Sequence, residues 1–76
     1  MKIDNVVVGD VLWCWYDDGW NGDIQYFKVI KITPKTILVE SEHHGQGRKK
    51  IYDDGFINFD GKVSPTSWNP WNEKGD

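Results

Sequence analysis

The sequence predicts an all-β protein, a small five-stranded barrel followed by an irregular tail rich in Trp and Pro. Three observations predict it. No window repeats apolar residues at helical spacing, while Val, Ile, Thr and aromatic residues gather in short runs separated by Gly, Asp, Asn and Pro. The chain has 76 residues, enough for one core, since a chain of this size buries only about 60% of the surface it exposes when unfolded. Its 38% apolar content is weighted towards five Trp, three Tyr and three Phe, and a buried ring removes roughly 150–250 Å² from water.

The elements follow in order. Val6 to Val8 reads as an extended lead-in and Gly9-Asp10 as a turn, so the first strand is expected from Val11 to Tyr16. Asp17 to Gly22 reads as a loop. The second strand, from Ile24 to Thr33, changes phase once near Val29-Ile30, which predicts a bulge or sharp coil at that point. Pro34-Lys35 makes a tight turn, because Pro fixes φ and has no N–H for a ladder, and Thr36 to Glu42 returns as the third strand. After a loop from His43 to Gly47, two short strands are expected, Arg48 to Tyr52 and Phe56 to Phe59. Asp53-Asp54-Gly55 supplies the turn between them, since Asp-Gly favours positive φ.

Short strands in so small a chain avoid open, aggregation-prone edges by curling into a barrel, and an SH3-like barrel fits this length better than an OB-like one. The expected organisation is a barrel domain over 1–64 and a tail over 65–76 that packs on it through its rings, with the last residues disordered.

Composition narrows the function. The lone Cys14 allows no internal disulfide and builds no zinc site by itself, which suits a reducing, cytoplasmic setting. No apolar run approaches the roughly 20 residues of a membrane span, and no signal peptide is recognisable, so a soluble protein with no membrane association is expected. A formal charge of −3 argues against non-specific duplex binding, which depends on cationic side chains displacing counterions. No P-loop, dinucleotide fingerprint or Ser-centred elbow is present, and no nucleophile has a base near it in sequence. The expectation is a protein that is not an enzyme and uses no cofactor and no metal. The loop DDGWNGD matches no calcium loop, and its carboxylates have the ordinary role of Asp in turns.

The candidate binding residues are aromatic. Trp13 and Trp15 stand two apart and share one face of the first strand, while Leu12, Cys14 and Tyr16 share the other. Leu12 and Cys14 are typical interior residues, which sets both indoles on the outer face. They serve there as a binding platform, or Trp68 and Trp71 fold back to cover them, or the two indoles are themselves part of the core. Trp20 sits in a loop between Asp18-Gly19 and Asn21-Gly22, where it either recognises a partner beside Tyr16 and Tyr26 or caps one end of the barrel. Asp17 and Asp18 would steer a basic partner towards it. Arg48, Lys49 and Lys50, with His43 and His44 upstream, form a basic cluster suited to a phosphate or an acidic partner, or simply a charged edge strand.

The stretch VVVGDVLW, followed by YFKVIKITPKTILVE and then RKKIY, resembles the small SH3-like barrel proteins encoded by bacteriophages and mobile elements, over Val6 to Phe59. The resemblance implies a phage-type accessory protein that acts by binding inside a bacterial host cell. The expected function is therefore a module that docks on a host protein through Trp13, Trp15, Tyr16, Asp17, Asp18, Trp20 and Tyr26, inhibiting or redirecting a defence or nucleic-acid-processing system. One alternative is a nucleic-acid or nucleotide binder that stacks bases on these rings and holds phosphates with His43, His44, Arg48, Lys49 and Lys50. Another is a structural, self-assembling virion protein. The protein is expected to be a monomer or a small homo-oligomer.

Overall fold

The computed structural model describes residues 1–17, 22–42, 45–64, 66–67 and 69–71, and of Tyr16 and Asp17 the backbone only. The described chain forms one five-stranded antiparallel sheet in the order β4-β3-β2-β1-β5. Its strands are β1 (Val11–Asp17), β2 (Gly22–Ile32), β3 (Thr36–Ser41), β4 (Gly45–Lys50) and β5 (Gly61–Lys62), with a 3-10 turn at Ile3–Asn5. The all-β class is as the sequence predicts. The hydrogen-bonded ladder is open, with β4 and β5 as its two edges, rather than closed into a barrel. Among the described residues no helix is long and apolar enough to cross a membrane.

β1, β2 and β3 arise where the apolar runs place them. Trp13 pairs with Tyr26 and Trp15 with Ile24 across β1–β2. The β2–β3 register runs Val29↔Val39 and then Lys31↔Leu38, so Ile30 is the extra residue of a bulge. That bulge is the predicted change of phase. Before it Phe27 and Val29 point inward, and after it the inward position passes to Ile32, paired with Ile37. Lys31 therefore faces solvent within an otherwise apolar run. At the following turn, the Thr33 hydroxyl accepts the Thr36 N–H at 3.0 Å and lies 2.8 Å from the Thr36 hydroxyl, which closes the hairpin locally.

Beyond β3 the structure departs from the sequence reading. β4 begins at Gly45 and ends at Lys50, taking in the Gly-Gln-Gly stretch expected to be loop and leaving Ile51 and Tyr52 outside. Cross-strand hydrogen bonding to β3 overrides the poor strand propensity of Gly. Phe56 to Phe59 is not a strand of the sheet. Phe56 makes a single bridge to Lys2, while Ile57 and Phe59 cross the inner face and bury their side chains there. The last strand is instead the two-residue β5, which pairs with Leu12 and Trp13. At Asp53-Asp54-Gly55 the expected positive φ is found, with Gly55 at φ 83° and the Asp54 carboxylate accepting the Phe56 N–H at 3.1 Å, although the turn does not join two strands of the sheet.

The core lies between the inner sheet face and this crossing segment. Leu12, Phe27, Val29, Ile37 and Val39 come from the sheet, and Val6, Ile57 and Phe59 cover them. Phe27 and Phe59 meet edge to face at 5.3 Å, a favoured aromatic geometry. The N-terminus closes one end, its ammonium donating to the carbonyls of Ile57 and Phe59.

Candidate functional site

The outer face of β1–β2 carries the aromatic residues singled out from the sequence. Strand alternation places Val11, Trp13 and Trp15 on that face of β1, opposite Lys28, Tyr26 and Ile24 of β2. Leu12 and Cys14 turn the other way, Leu12 fully buried and Cys14 packed against the core.

The face is graded along its length. At the Val11 end it is covered, since Val11 is buried and shares a cleft of about 290 Å³ with Lys28, Val63, Asn69 and Trp71. Asn69 is itself buried, and its side-chain oxygen accepts the Trp71 N–H at 3.0 Å. Trp71 thus stands near Val11 and Lys28, not over Trp15. In the middle, half-buried Trp13 and Tyr26 border a second cleft, of about 240 Å³, with Ile24, Val63, Ser64 and Ser67. At the far end Trp15 is 58% exposed and Ile24 38% exposed.

Two glycines shape this surface. A Cβ at Gly61 would lie 2.7 Å from the Trp13 indole nitrogen, and one at Gly22 would overlap the six-membered ring of Trp15. Both indoles therefore lie across bare backbone, a pairing that lets aromatic rings rest flat on a sheet. Asp60 fixes the frame beneath them. Its N–H donates to the Trp13 carbonyl at 3.0 Å, and its carboxylate accepts the Trp15 N–H at 2.7 Å.

Of the other expected site residues, Tyr16 and Asp17 lie in β1 with only their backbone described, and Asp18, Trp20, His43 and His44 lie outside the described residues, as do Trp68 and 72–76. Ile24 and Gly61 were missed. Ile24 was legible once the β1–β2 hairpin was registered, because it falls opposite Trp15; Asp60-Gly61 reads from the sequence only as a reversal, with nothing to place an indole over Gly61.

The basic cluster is divided by its own strand. Arg48 and Lys50 pair with Leu38 and Thr36 on the outer side, whereas Lys49 pairs with buried Ile37 and carries its ammonium 6.0 Å from the Phe27 ring centroid, on the inner side. The three cations do not form one patch. The carboxylates of Asp10 and Asp54 cap nearby backbone N–H groups, as expected of Asp in turns.

Cys14 lies on the inner side between opposing influences. Burial pushes its thiol above the ordinary range, the Asp60 carboxylate adds to that rise, and the Lys49 ammonium opposes it. Because the thiolate is the reactive form, alkylation by iodoacetamide at pH 8 should be slow in the folded protein. Asp60→Asn removes one of the raising charges, lowers the thiol pKa and should speed the reaction. An unchanged rate, measured by mass spectrometry under native conditions, would rule out that coupling.

Comparison with known proteins adds no relative. No protein family, curated protein or solved structure matches this chain. The functional reading therefore rests on the surface itself.

Proposed function

We infer that the chain is a non-catalytic docking module, of SH3-like plan and phage type, that binds a protein of a bacterial host cell through the outer face of β1–β2. The observation that carries this reading is the half-open aromatic platform. Trp15 and Ile24 are exposed side by side across the strand pair, and Trp13 and Tyr26 continue the surface inward. An indole laid flat on a rigid sheet loses little conformational freedom on binding, and Trp and Tyr are the residues most often found as energetic anchors of interfaces. The sheet's other features support the assignment to this face. Much of its inner side is filled by core, and the Val11 end is already covered.

A phosphate-binding role draws less support, because β4 alternates its cations between two faces instead of gathering them around the rings. The test is capture from a nuclease-treated bacterial lysate at low and high salt. One dominant host protein should be retained at both, since aromatic docking responds weakly to ionic strength and phosphate contacts respond steeply. Trp15→Ala should cut that capture by about 30-fold, the equivalent of some 2 kcal/mol at a central anchor, with thermal unfolding little changed because the ring is largely in solvent. Undiminished capture by this variant would defeat the assignment.

A further inference from the structure

The far edge of the sheet offers a surface of another kind. β4 is hydrogen-bonded to β3 on one side and all six of its residues are exposed, and among the described residues no strand pairs with its other side. The ladder fixes where its backbone groups point. Ile51 donates to the Lys35 carbonyl at 2.9 Å, one step beyond the Thr36↔Lys50 pair. Hydrogen-bonded and non-hydrogen-bonded pairs alternate along an antiparallel ladder. Lys49, Gly47 and Gly45 therefore bond to β3, and Lys50, Arg48 and Gln46 turn their N–H and C=O groups outward.

This edge lacks most of the devices that protect such strands. It contains no Pro, and its register with β3 runs without a bulge from Lys50 to Gly45. The opposite edge, β5, is protected simply by being two residues long. What β4 has is charge. Among the described residues none of Arg48, Lys49 and Lys50 forms an ion pair. Two copies meeting edge to edge would bring cations against cations, so the charge disfavours self-pairing and favours an acidic strand. The inner side of the same edge supplies an apolar floor. A cleft of about 240 Å³ is lined by Phe27, Val39, Gln25, Gly47 and Lys49, and a Cβ at Gly45 or Gly47 would meet nothing within 4 Å.

We propose that β4 receives an extended acidic segment of a partner protein as a sixth strand. Carboxylates of that segment lie beside Arg48 and Lys50 on the outer side, and its alternate, apolar residues settle over the Phe27–Val39 cleft. Main-chain hydrogen bonds to Gln46, Arg48 and Lys50 give affinity, and the alternation gives specificity. This edge is distinct from the Trp15 face, so either surface can fail its test without affecting the other.

The probe is a fluorescent octapeptide of alternating glutamate and valine, titrated into the full chain. Saturable binding is expected, with slowed amide exchange at Gln46, Arg48 and Lys50. Gln46→Pro removes one outward N–H while sparing the β3 ladder, and should weaken binding at least ~10-fold, whereas Gln46→Ala should stay within about two-fold. Reversing charge with Arg48→Glu and Lys50→Glu should transfer preference to a lysine–valine octapeptide. Absence of saturable binding, full binding by Gln46→Pro, amide changes confined to β1–β2, equal competition by a single-stranded oligonucleotide, or a dimer built through β4 would each overturn the proposal.

Discussion

Leu12→Ala should destabilise the domain by about 3–4 kcal/mol, towards the upper end of the range for removing a buried leucine. The position is fully buried and lies at the centre of the core cluster. What sets the size of the effect is how far the site can collapse around the missing atoms. Leu12 sits on a strand hydrogen-bonded on both sides, opposite Phe27 in β2 and Lys62 in β5. The backbone therefore cannot close the gap, and Phe59 and Ile57 above it are tied through their own backbone to the N-terminus. A domain of 76 residues has a total stability of about 4–11 kcal/mol at ordinary per-residue values. Losing 3–4 of that leaves a protein near its threshold, and denaturant unfolding followed by Trp fluorescence would measure it. Val7→Ala, at a side chain 62% exposed, should change stability by no more than about 0.5 kcal/mol. If the two variants unfolded alike, the core would lie elsewhere.

The parts of this fold visible in the sequence are those where local pattern and tertiary pairing agree. Val29-Ile30 carried its bulge openly, because a strand with one buried face must change phase wherever it inserts a residue. The Trp13 and Trp15 face was legible for the same reason, since alternation with Leu12 and Cys14 leaves only one inward side. β4 and β5 were hidden because their residues have little strand character. Gly45-Gln46-Gly47 becomes strand only when β3 supplies partners, and Gly61–Lys62 is too short to show a period. Phe56 to Phe59 misled in the opposite way. Its apolar alternation is real, with Ile57 and Phe59 inward, but it reports burial across the sheet and not membership of it. The split of Arg48, Lys49 and Lys50 between faces follows from that same alternation once the strand is known.

The two glycines beneath the indoles make the outer face testable without any partner. Neither Gly22 nor Gly61 has a positive φ, so an alanine at either position brings no backbone strain and the outcome depends on the ring it meets. At Gly22 the nominal overlap is the more severe, yet Trp15 is 58% exposed and can swing into solvent. The lost ring contact is offset by removing glycine from a strand, worth roughly 0.5–1 kcal/mol, so Gly22→Ala should stay within about 1 kcal/mol of the parent. At Gly61 the overlap is milder, with Trp13 atoms at 2.7, 3.1 and 3.2 Å. Trp13 has less freedom, being half-buried opposite Tyr26 and bordered by Val63, Ser64 and Ser67. The added methyl must displace the ring or lift β5. Lifting β5 endangers both hydrogen bonds of Asp60, to the Trp13 carbonyl and from the Trp15 N–H. Gly61→Ala should therefore cost about 1–3 kcal/mol, as overpacking does. The smaller overlap carries the larger penalty because mobility, not distance, decides what a ring can yield. Calorimetric melting of the two variants would show the order, and a reversal would mean that the Trp13 ring yields to the added methyl more easily than the Trp15 ring.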